Sequence, residues 1–282
     1  MKQPTKAVIA VAGYGTRRLP VAKAVEKCMI PLLNRPVVDY IVQDVIKAGV
    51  TDIYFVVSGG ASQLRDYYSR NVELESYLIA KGKSDLLNAI TPPADIKFHY
   101  IEQDTNDSRY GTTIPLWLAR DYIAADEWFY LIMGDQTLWR ADGDSECNLL
   151  YGAAADAQAD GGLIGVAVPW EQVDRFGIIE TDEGGAYKRI VEHPKLGEAP
   201  SNLNNASMYL LPGAIMPLAA DRMNAANTGE YLVIDVINDF VNGGGTLAVR
   251  TSDAAYLDCG SVDNWVHSNA FLLEQQQKGI AV

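Results

Sequence analysis

The chain reads, from residue 7, Ala7-Val8-Ile9-Ala10-Val11-Ala12-Gly13-Tyr14-Gly15-Thr16-Arg17-Arg18, an apolar run that leads into a loop of glycines and arginines. The run predicts a buried strand. Glycine permits positive φ and a close backbone approach, so successive N–H groups of the loop can point at phosphate oxygens. Arg17, Arg18, Lys23 and Lys27 supply positive charge nearby. The stretch therefore predicts a strand followed by a loop that binds a triphosphate or a sugar phosphate.

Two common glycine motifs fit this loop poorly. The P-loop requires four residues between its glycines and then Lys-Ser or Lys-Thr, whereas a single residue separates Gly13 from Gly15. The dinucleotide motif requires a third glycine where Arg18 stands, and the bulk of this side chain would obstruct helix–strand packing. A longer pattern does fit: G-x-G-T-R-x-x-P, continued by Lys23 and by Lys27-Cys28-Met29-Ile30-Pro31-Leu32.

This longer pattern resembles the signature of the sugar-1-phosphate nucleotidylyltransferases. The resemblance implies that the loop wraps a nucleoside triphosphate through residues that include Ala12, Gly13, Gly15 and Thr16. It also implies that Lys27 neutralises the phosphates. Arg17 and Lys27 are accordingly the predicted catalytic residues, because they would stabilise the charge of the transition state.

Composition excludes several classes of protein. With 282 residues and 48% hydrophobic content, the chain can bury a sizeable core. Its formal net charge of −13 argues against general nucleic-acid binding, which requires a basic face. The apolar run near the N-terminus is too short for a signal peptide or a membrane span, which favours a cytoplasmic protein without membrane attachment. Three widely separated cysteines, Cys28, Cys147 and Cys259, indicate neither disulfides nor structural zinc.

The order of apolar runs and helical patterns predicts an α/β fold, with a mixed, mainly parallel, Rossmann-like sheet flanked by helices. We expect one domain over 1–282, with 1–140 mainly nucleotide-binding, a smaller sugar-side elaboration over 141–260, and a C-terminal helix in 261–282. Strands are predicted at 6–11, 52–57, 96–101, 128–133, 162–168, 176–181, 188–192, 207–211 and 246–250. Helices are predicted from residue 37 to Gly49, over 61–90 and 114–124, and near 213–223, 230–242 and 261–276.

Two aspartates are candidate ligands of Mg²⁺. Asp135 follows the predicted strand 128–133 and would project from the carboxyl edge of the sheet, where open α/β sheets bind ligands. Magnesium prefers hard oxygen ligands, commonly one or two carboxylates with phosphate oxygens and water. Asp258, in Leu257-Asp258-Cys259-Gly260, also follows an apolar stretch. The family resemblance implies that the two aspartates share the metal.

The acceptor side also resembles the family, with one departure. The segment Phe176-Gly177-Ile178-Ile179-Glu180 and the segment Glu192-His193-Pro194-Lys195 are similar to family segments that hold the sugar phosphate. The resemblance implies that Gly177 and Glu192 bind sugar hydroxyls. Where the family has a phosphate-binding lysine this chain has His193, and Lys195 follows two positions later. An imidazole is shorter and, with a reference pKa near 6.5, only partly charged at neutral pH. His193 is therefore either a phosphate ligand or a surface histidine in a proline turn.

Gln103 follows the predicted strand 96–101 and resembles the family glutamine that reads the edge of a pyrimidine, since an amide both donates and accepts hydrogen bonds. Gly111 would lie beneath the base. The segment between them, 104–110, departs from the family pattern.

The segment 67–78, which ends in Glu73-Leu74-Glu75-Ser76-Tyr77-Leu78, resembles an insertion of bacterial UTP–glucose-1-phosphate uridylyltransferases. This branch implies UTP and glucose 1-phosphate as substrates, UDP-glucose as product, Mg²⁺ as cofactor, and a homodimer or homotetramer. Two alternatives stay open: a non-catalytic sugar-nucleotide binding protein of the same fold, and the same transfer with another sugar 1-phosphate or nucleotide.

Overall fold

The structure is a computed structural model that describes residues 1–104, 106–225 and 229–282. The strands are β1 (Lys6–Ala10), β2 (Pro31–Leu32), β3 (Arg35–Pro36), β4 (Asp52–Ser58), β5 (Lys97–Gln103), β6 (Trp128–Met133), β7 (Gln136–Trp139), β8 (Gly161–Ala167), β9 (Gly177–Thr181), β10 (Tyr187–Glu192), β11 (Leu203–Pro212), β12 (Leu247–Ser252) and β13 (Ala255–Asp258). The α-helices are α1 (Val37–Lys47), α2 (Gln63–Tyr67), α3 (Val72–Ala80), α4 (Thr113–Leu118), α5 (Glu146–Asp156), α6 (Met216–Asn224), α7 (Val233–Asn242) and α8 (Val262–Gln277).

The central sheet has the strand order β10-β9-β11-β6-β1-β4-β5, and β8 with β12 joins it beside β11. β1 pairs in parallel with β4 and β6, and β4 pairs in parallel with β5. β11 runs antiparallel to β6, β8 and β9. The expected α/β class with a mixed, mainly parallel core is confirmed. The antiparallel pairings lie on the β11 side of β6, away from β1.

Apolar side chains on both faces of the sheet hold it between helices. On one face, α1 packs through Val38, Ile41 and Val45, all fully buried. On the other, α4, α6 and α7 cover Val8 and Leu131. Each such buried side chain contributes roughly 1.5–3 kcal/mol relative to exposure. The parallel strands β1, β4 and β6 are therefore buried on both faces, which explains why they are continuous apolar runs in the sequence, whereas β5 at the edge is only partly buried.

Two predicted helices are shorter than expected. The segment 61–90 is wrong as one helix, because it contains α2, α3 and a 3-10 turn over Ser84–Ala89. Asn71 begins a new helix there, since its side chain accepts a hydrogen bond from the N–H of Leu74 at 3.0 Å. The segment 114–124 is likewise divided into α4 and a 3-10 turn over Arg120–Tyr122.

Several elements were not predicted. Helix α5 begins at Ser145, whose hydroxyl accepts from the N–H of Asn148 at 3.0 Å. β7 and β13 form a separate two-stranded antiparallel sheet, and β2 pairs with β3. The cysteines are buried and unpaired, as expected. Within residues 1–104, 106–225 and 229–282, no helix combines the length and the apolar character needed to cross a membrane.

Candidate active site

Four parallel strands end at one edge of the sheet and define a cleft. β1, β4, β5 and β6 all point the same way, and Ser58 and Gln103 are paired at the ends of β4 and β5. A cleft of ≈ 590 Å³ lies at this edge, where open α/β sheets bind ligands. Its walls include the predicted residues Ala12, Gly13, Arg17, Lys27, Gln103, Gly111 and Asp135.

The loop after β1 holds Lys27 along its glycines. Gly15 has a φ of 62°, in the left-handed region that favours glycine. A Cβ atom at Gly13 would lie 3.6 Å from Cδ of Lys27, so the lysine side chain runs beside the loop backbone. The Lys27 ammonium forms an ion pair with the Asp135 carboxylate, and the two side chains are 20% and 19% exposed. The loop thus places a cation and a carboxylate together in the cleft.

Arg17 and Arg18 follow Thr16 in a 3-10 turn over Thr16–Arg18. Nη2 of Arg17 lies 3.5 Å from the position of a Cβ atom at Gly260, so Arg17 reaches the turn after β13. Arg18 is 1% exposed, and its Nη2 donates to the Lys27 carbonyl at 3.3 Å. Its other two guanidinium nitrogens are buried and make no hydrogen bond to the described residues. Burial lowers the pKa of Arg18, against the opposing charge of Asp135.

The two predicted metal ligands lie on neighbouring backbone segments, and of the two Asp135 lines the cleft. The backbone N–H of Cys259 donates to the carbonyl of Asp135 at 3.0 Å, which joins the end of β13 to the start of β7. The Asp258 carboxylate accepts from the N–H of Gly260 at 2.6 Å and from the side-chain amide of Asn264. Carboxylate oxygens on these two segments are among the hard ligands that Mg²⁺ prefers.

In the part of the chain that the structure describes, no cluster of three or more His, Cys, Asp or Glu side chains could hold a metal ion. The carboxylate pair would therefore need phosphate oxygens and water to complete an octahedral shell, which is how Mg²⁺ is commonly bound beside phosphates. The residues present fit a metal that enters with a phosphate ligand.

Gln103 and Gly111 line the cleft where β5 ends. Gly111 has a φ of 133°, and a Cβ atom there would lie 2.3 Å from the Tyr231 carbonyl oxygen. The same carbonyl accepts from the N–H of Thr113 at 2.8 Å, and the N–H of Tyr231 donates to the carbonyl of Tyr110 at 2.9 Å. Residues 110–113 are thereby fixed against Tyr231, and only glycine fits at position 111. Of the unusual segment 104–110, Thr105 lies outside the described residues.

The predicted acceptor residues lie on the β9–β10 hairpin, outside the walls of this cleft. Gly177 is paired with Glu192, and a Cβ atom at Gly177 would lie 2.5 Å from Oε1 of Glu192. Burial raises the pKa of Glu192, with Glu230 acting in the same direction and His193 opposing. Glu230 lines the cleft, so its charge acts on the cleft as well as on the hairpin.

His193 lies in a turn at the end of β10. Its φ is 48°, its N–H donates to the Phe176 carbonyl at 3.0 Å, and its Nδ1 lies 3.1 Å from the Asp174 carbonyl oxygen. The side chain is 67% exposed, and Lys195 is also exposed. The structure therefore brings the nucleotide-side residues together and leaves the two candidate phosphate cations of the acceptor side at the surface.

The cleft also has walls that sequence reasoning did not single out. Ser58, Arg109, Gln136 and Ser207 line it. Ser58 and Gln136 could have been found, since each directly follows a residue or strand that was singled out. Arg109 and Ser207 belong to no motif in the sequence, and their positions depend on tertiary structure.

A family model described as "Nucleotidyl transferase" matches residues 6–275 of the chain. The chain is 34% identical over 244 residues to the UTP–glucose-1-phosphate uridylyltransferase of Bacillus subtilis, with 84% of this chain and 80% of the relative covered. It is 36% identical to the protein of the same name from Staphylococcus haemolyticus, with 84% and 81% covered. Among solved structures, a UTP-bound UGPase from Acinetobacter baumannii is similar with a TM-score of 0.85 and 28% identity, over 97% of this chain and 98% of that one.

Proposed function

The chain belongs to the nucleotidyl transferase family, and from that premise we propose that it transfers a uridylyl group from UTP to glucose 1-phosphate, giving UDP-glucose and pyrophosphate. The observation that carries the proposal is the arrangement of the glycine loop, Lys27 and Asp135 in one cleft at the carboxyl edge of the sheet. The relatives named above supply the identity of the two substrates.

The reaction needs no covalent intermediate. The phosphate oxygen of a sugar 1-phosphate is already anionic, so it can attack the α-phosphorus of UTP once the two anions are held in line. Positioning and charge neutralisation are then the main tasks of the protein. The N–H groups of the loop around Gly13 and Gly15 bind phosphate oxygens, and the ammonium of Lys27 neutralises charge that accumulates in the transition state. Arg17 adds a second cation to the same wall.

Proteins of this family generally use a divalent metal, and in this chain Asp135 and Asp258 would hold Mg²⁺. When bound, it would neutralise and orient the phosphate oxygens of both substrates. Asp135 pairs with Lys27, so this carboxylate and this ammonium lie where a metal ion and a triphosphate would be held.

Gln103 reads the pyrimidine edge, and Gly111 gives the base access to the backbone beside Tyr231. On the acceptor side, Glu192 and the backbone of Gly177 bind sugar hydroxyls, and His193 or Lys195 reaches the sugar phosphate. The support for these roles is the position of Gln103 and Gly111 in the cleft and the close contact between Gly177 and Glu192.

The proposal extends to a cytoplasmic homodimer or homotetramer. Helix α3 exposes Val72, Tyr77 and Ile79 at 63%, 54% and 59%, and apolar exposure of this kind favours contact with another protein surface. Light scattering of the purified protein tests this assembly, and a monomer at micromolar concentration contradicts it.

The activity is tested by pyrophosphate release from purified protein with Mg²⁺, with each nucleoside triphosphate paired with glucose 1-phosphate and with galactose 1-phosphate. We expect turnover that requires UTP and glucose 1-phosphate. Turnover with another pair would show that the protein uses that nucleotide and that sugar 1-phosphate instead. Silence with every pair, together with measurable UTP binding, would establish a non-catalytic binding protein instead.

A further inference from the structure

Strand β11 contains an irregularity that reaches the cleft. Its pairing with β8 shifts register between Asn205 and Tyr209. Ser207, within this shift, has a φ of 53°, in the left-handed region that serine adopts only rarely. β-bulges commonly occur beside active sites, where they redirect a side chain.

Side chains of β11 itself hold the bulge in place. Oδ1 of Asn205 accepts from the N–H of Ser207 at 3.1 Å, and Nδ2 of Asn205 donates to the Tyr209 hydroxyl at 2.6 Å. Tyr209 is 2% exposed, so this anchor is fixed in the core. The backbone of Ser207 is therefore held in one conformation before any ligand arrives, as a binding residue requires.

The bulge lies at the edge of the sheet that forms the cleft. Met208 is paired with Ile132 of β6, so Ser207 lies beyond that pair, toward the carboxyl end of β6. Nε2 of Gln136 donates to the carbonyl of Ala206 at 2.8 Å, which ties the bulge to the residue after Asp135. Ser207 and Gln136 line the same cleft.

Ser207 lines the cleft together with Glu230, whose charge helps to raise the pKa of Glu192 on the β9–β10 hairpin, where the predicted sugar ligands lie. Lysine and arginine side chains in the cleft can bind the phosphates. The neutral hydroxyl of Ser207 can both donate and accept hydrogen bonds, which suits the uncharged hydroxyl groups of a sugar. We propose that the side chain of Ser207 is a specificity-determining residue that hydrogen-bonds a hydroxyl of the sugar. This inference rests on the proposed function, since it takes the acceptor to be a sugar 1-phosphate.

The test compares Ser207→Gly with Ser207→Ala. Both variants lack the hydroxyl, but glycine adopts a φ of 53° without strain while alanine does not. Binding of UDP and of UDP-glucose is measured by calorimetry on each protein, and melting temperatures are recorded alongside. We expect UDP-glucose to bind about three- to tenfold more weakly in both variants, as loss of one neutral hydrogen bond predicts, with UDP affinity unchanged within about twofold. The glycine variant should melt at a higher temperature than the alanine variant.

Three results overturn the inference. Unchanged UDP-glucose affinity in both variants shows that the hydroxyl makes no contact with the sugar. Weakening in the alanine variant alone assigns the effect to backbone strain. Equal weakening of UDP and UDP-glucose assigns Ser207 a structural role in the whole cleft. Because the readout is binding, it is independent of turnover: a wild-type protein that binds UDP-glucose more tightly than UDP but releases no pyrophosphate contradicts the proposed activity and leaves the role of Ser207 decided by the variants.

Discussion

Replacement of Lys27 by alanine is the sharpest test of the cleft. The Lys27 side chain is 20% exposed and lies along the glycine loop, and its ammonium is paired with Asp135, so it is a preorganised cation that need not move far to meet a phosphate. Removal of one preorganised electrostatic group from an active site costs roughly 3–4 kcal/mol of transition-state stabilisation. The expected loss in kcat is therefore about 10²- to 10³-fold, measured as pyrophosphate release with saturating UTP and glucose 1-phosphate.

A matched control is Lys97→Ala. Lys97 begins β5 at the opposite edge of the sheet from Gln103, is 75% exposed, and lies 4.0 Å from Asp52. This substitution changes the net charge by the same amount as Lys27→Ala. The Lys97–Asp52 ion pair, however, is screened by solvent and contributes only about 0–1 kcal/mol to stability. We expect normal turnover in this variant. Near-normal turnover in Lys27→Ala, with the melting temperature of the wild type, would refute the assignment of Lys27 and the mechanism built on it.

Three further changes have defined outcomes. Gly111→Ala should lower the melting temperature and weaken UTP binding, because its Cβ atom would meet the Tyr231 carbonyl. The control Gly152→Ala, in open space on α5, should do neither. Equal melting temperatures of the two variants would contradict the close packing of Gly111 against Tyr231. Glu192→Gln should raise the melting temperature at pH 7 while it lowers activity: burial raises the pKa of Glu192, so the stabilisation tied to its protonated form is lost as pH rises through that pKa. This gain should vanish below about pH 4.3, the ordinary glutamate value, and a gain that persists there would contradict the cause. His193→Lys should lower the KM for glucose 1-phosphate with kcat unchanged, whereas an unchanged KM would make position 193 a plain surface turn.

Three strands of the parallel core were predictable because each is a continuous apolar segment. β1, β4 and β6 are buried on both faces, so their sequences carry a signal that does not depend on the partner strand. Helix α5 carries a weaker signal, since its buried side includes the small residues Cys147 and Ala154 rather than a stripe of large apolar residues. The four-residue strands β7 and β13 are stabilised by each other across a long stretch of sequence, which no local pattern reveals.

The same distinction applies to the cleft. Gly13, Lys27 and Asp135 lie in short sequence motifs, so their roles could be predicted from neighbouring residues alone. The position of Ser207 in the cleft could be found only from the structure, because no pattern in the sequence of β11 predicts a non-glycine residue with positive φ. Glu230 is a charged residue in a loop, and its effect on the pKa of Glu192 depends on how distant segments fold together.

The ion pair between Lys27 and Asp135 makes the two binding events of this cleft interdependent. A cation that takes the carboxylate releases the ammonium, and an anion that takes the ammonium releases the carboxylate. Each ligand thus spares the other the work of separating the pair, so their affinities are coupled, and by reciprocity the enhancement is the same in both directions. A phosphate compound that arrives without a cation must break the pair alone. Under the proposed function, the resting cleft would therefore bind a nucleotide that carries a metal ion more tightly than free phosphate.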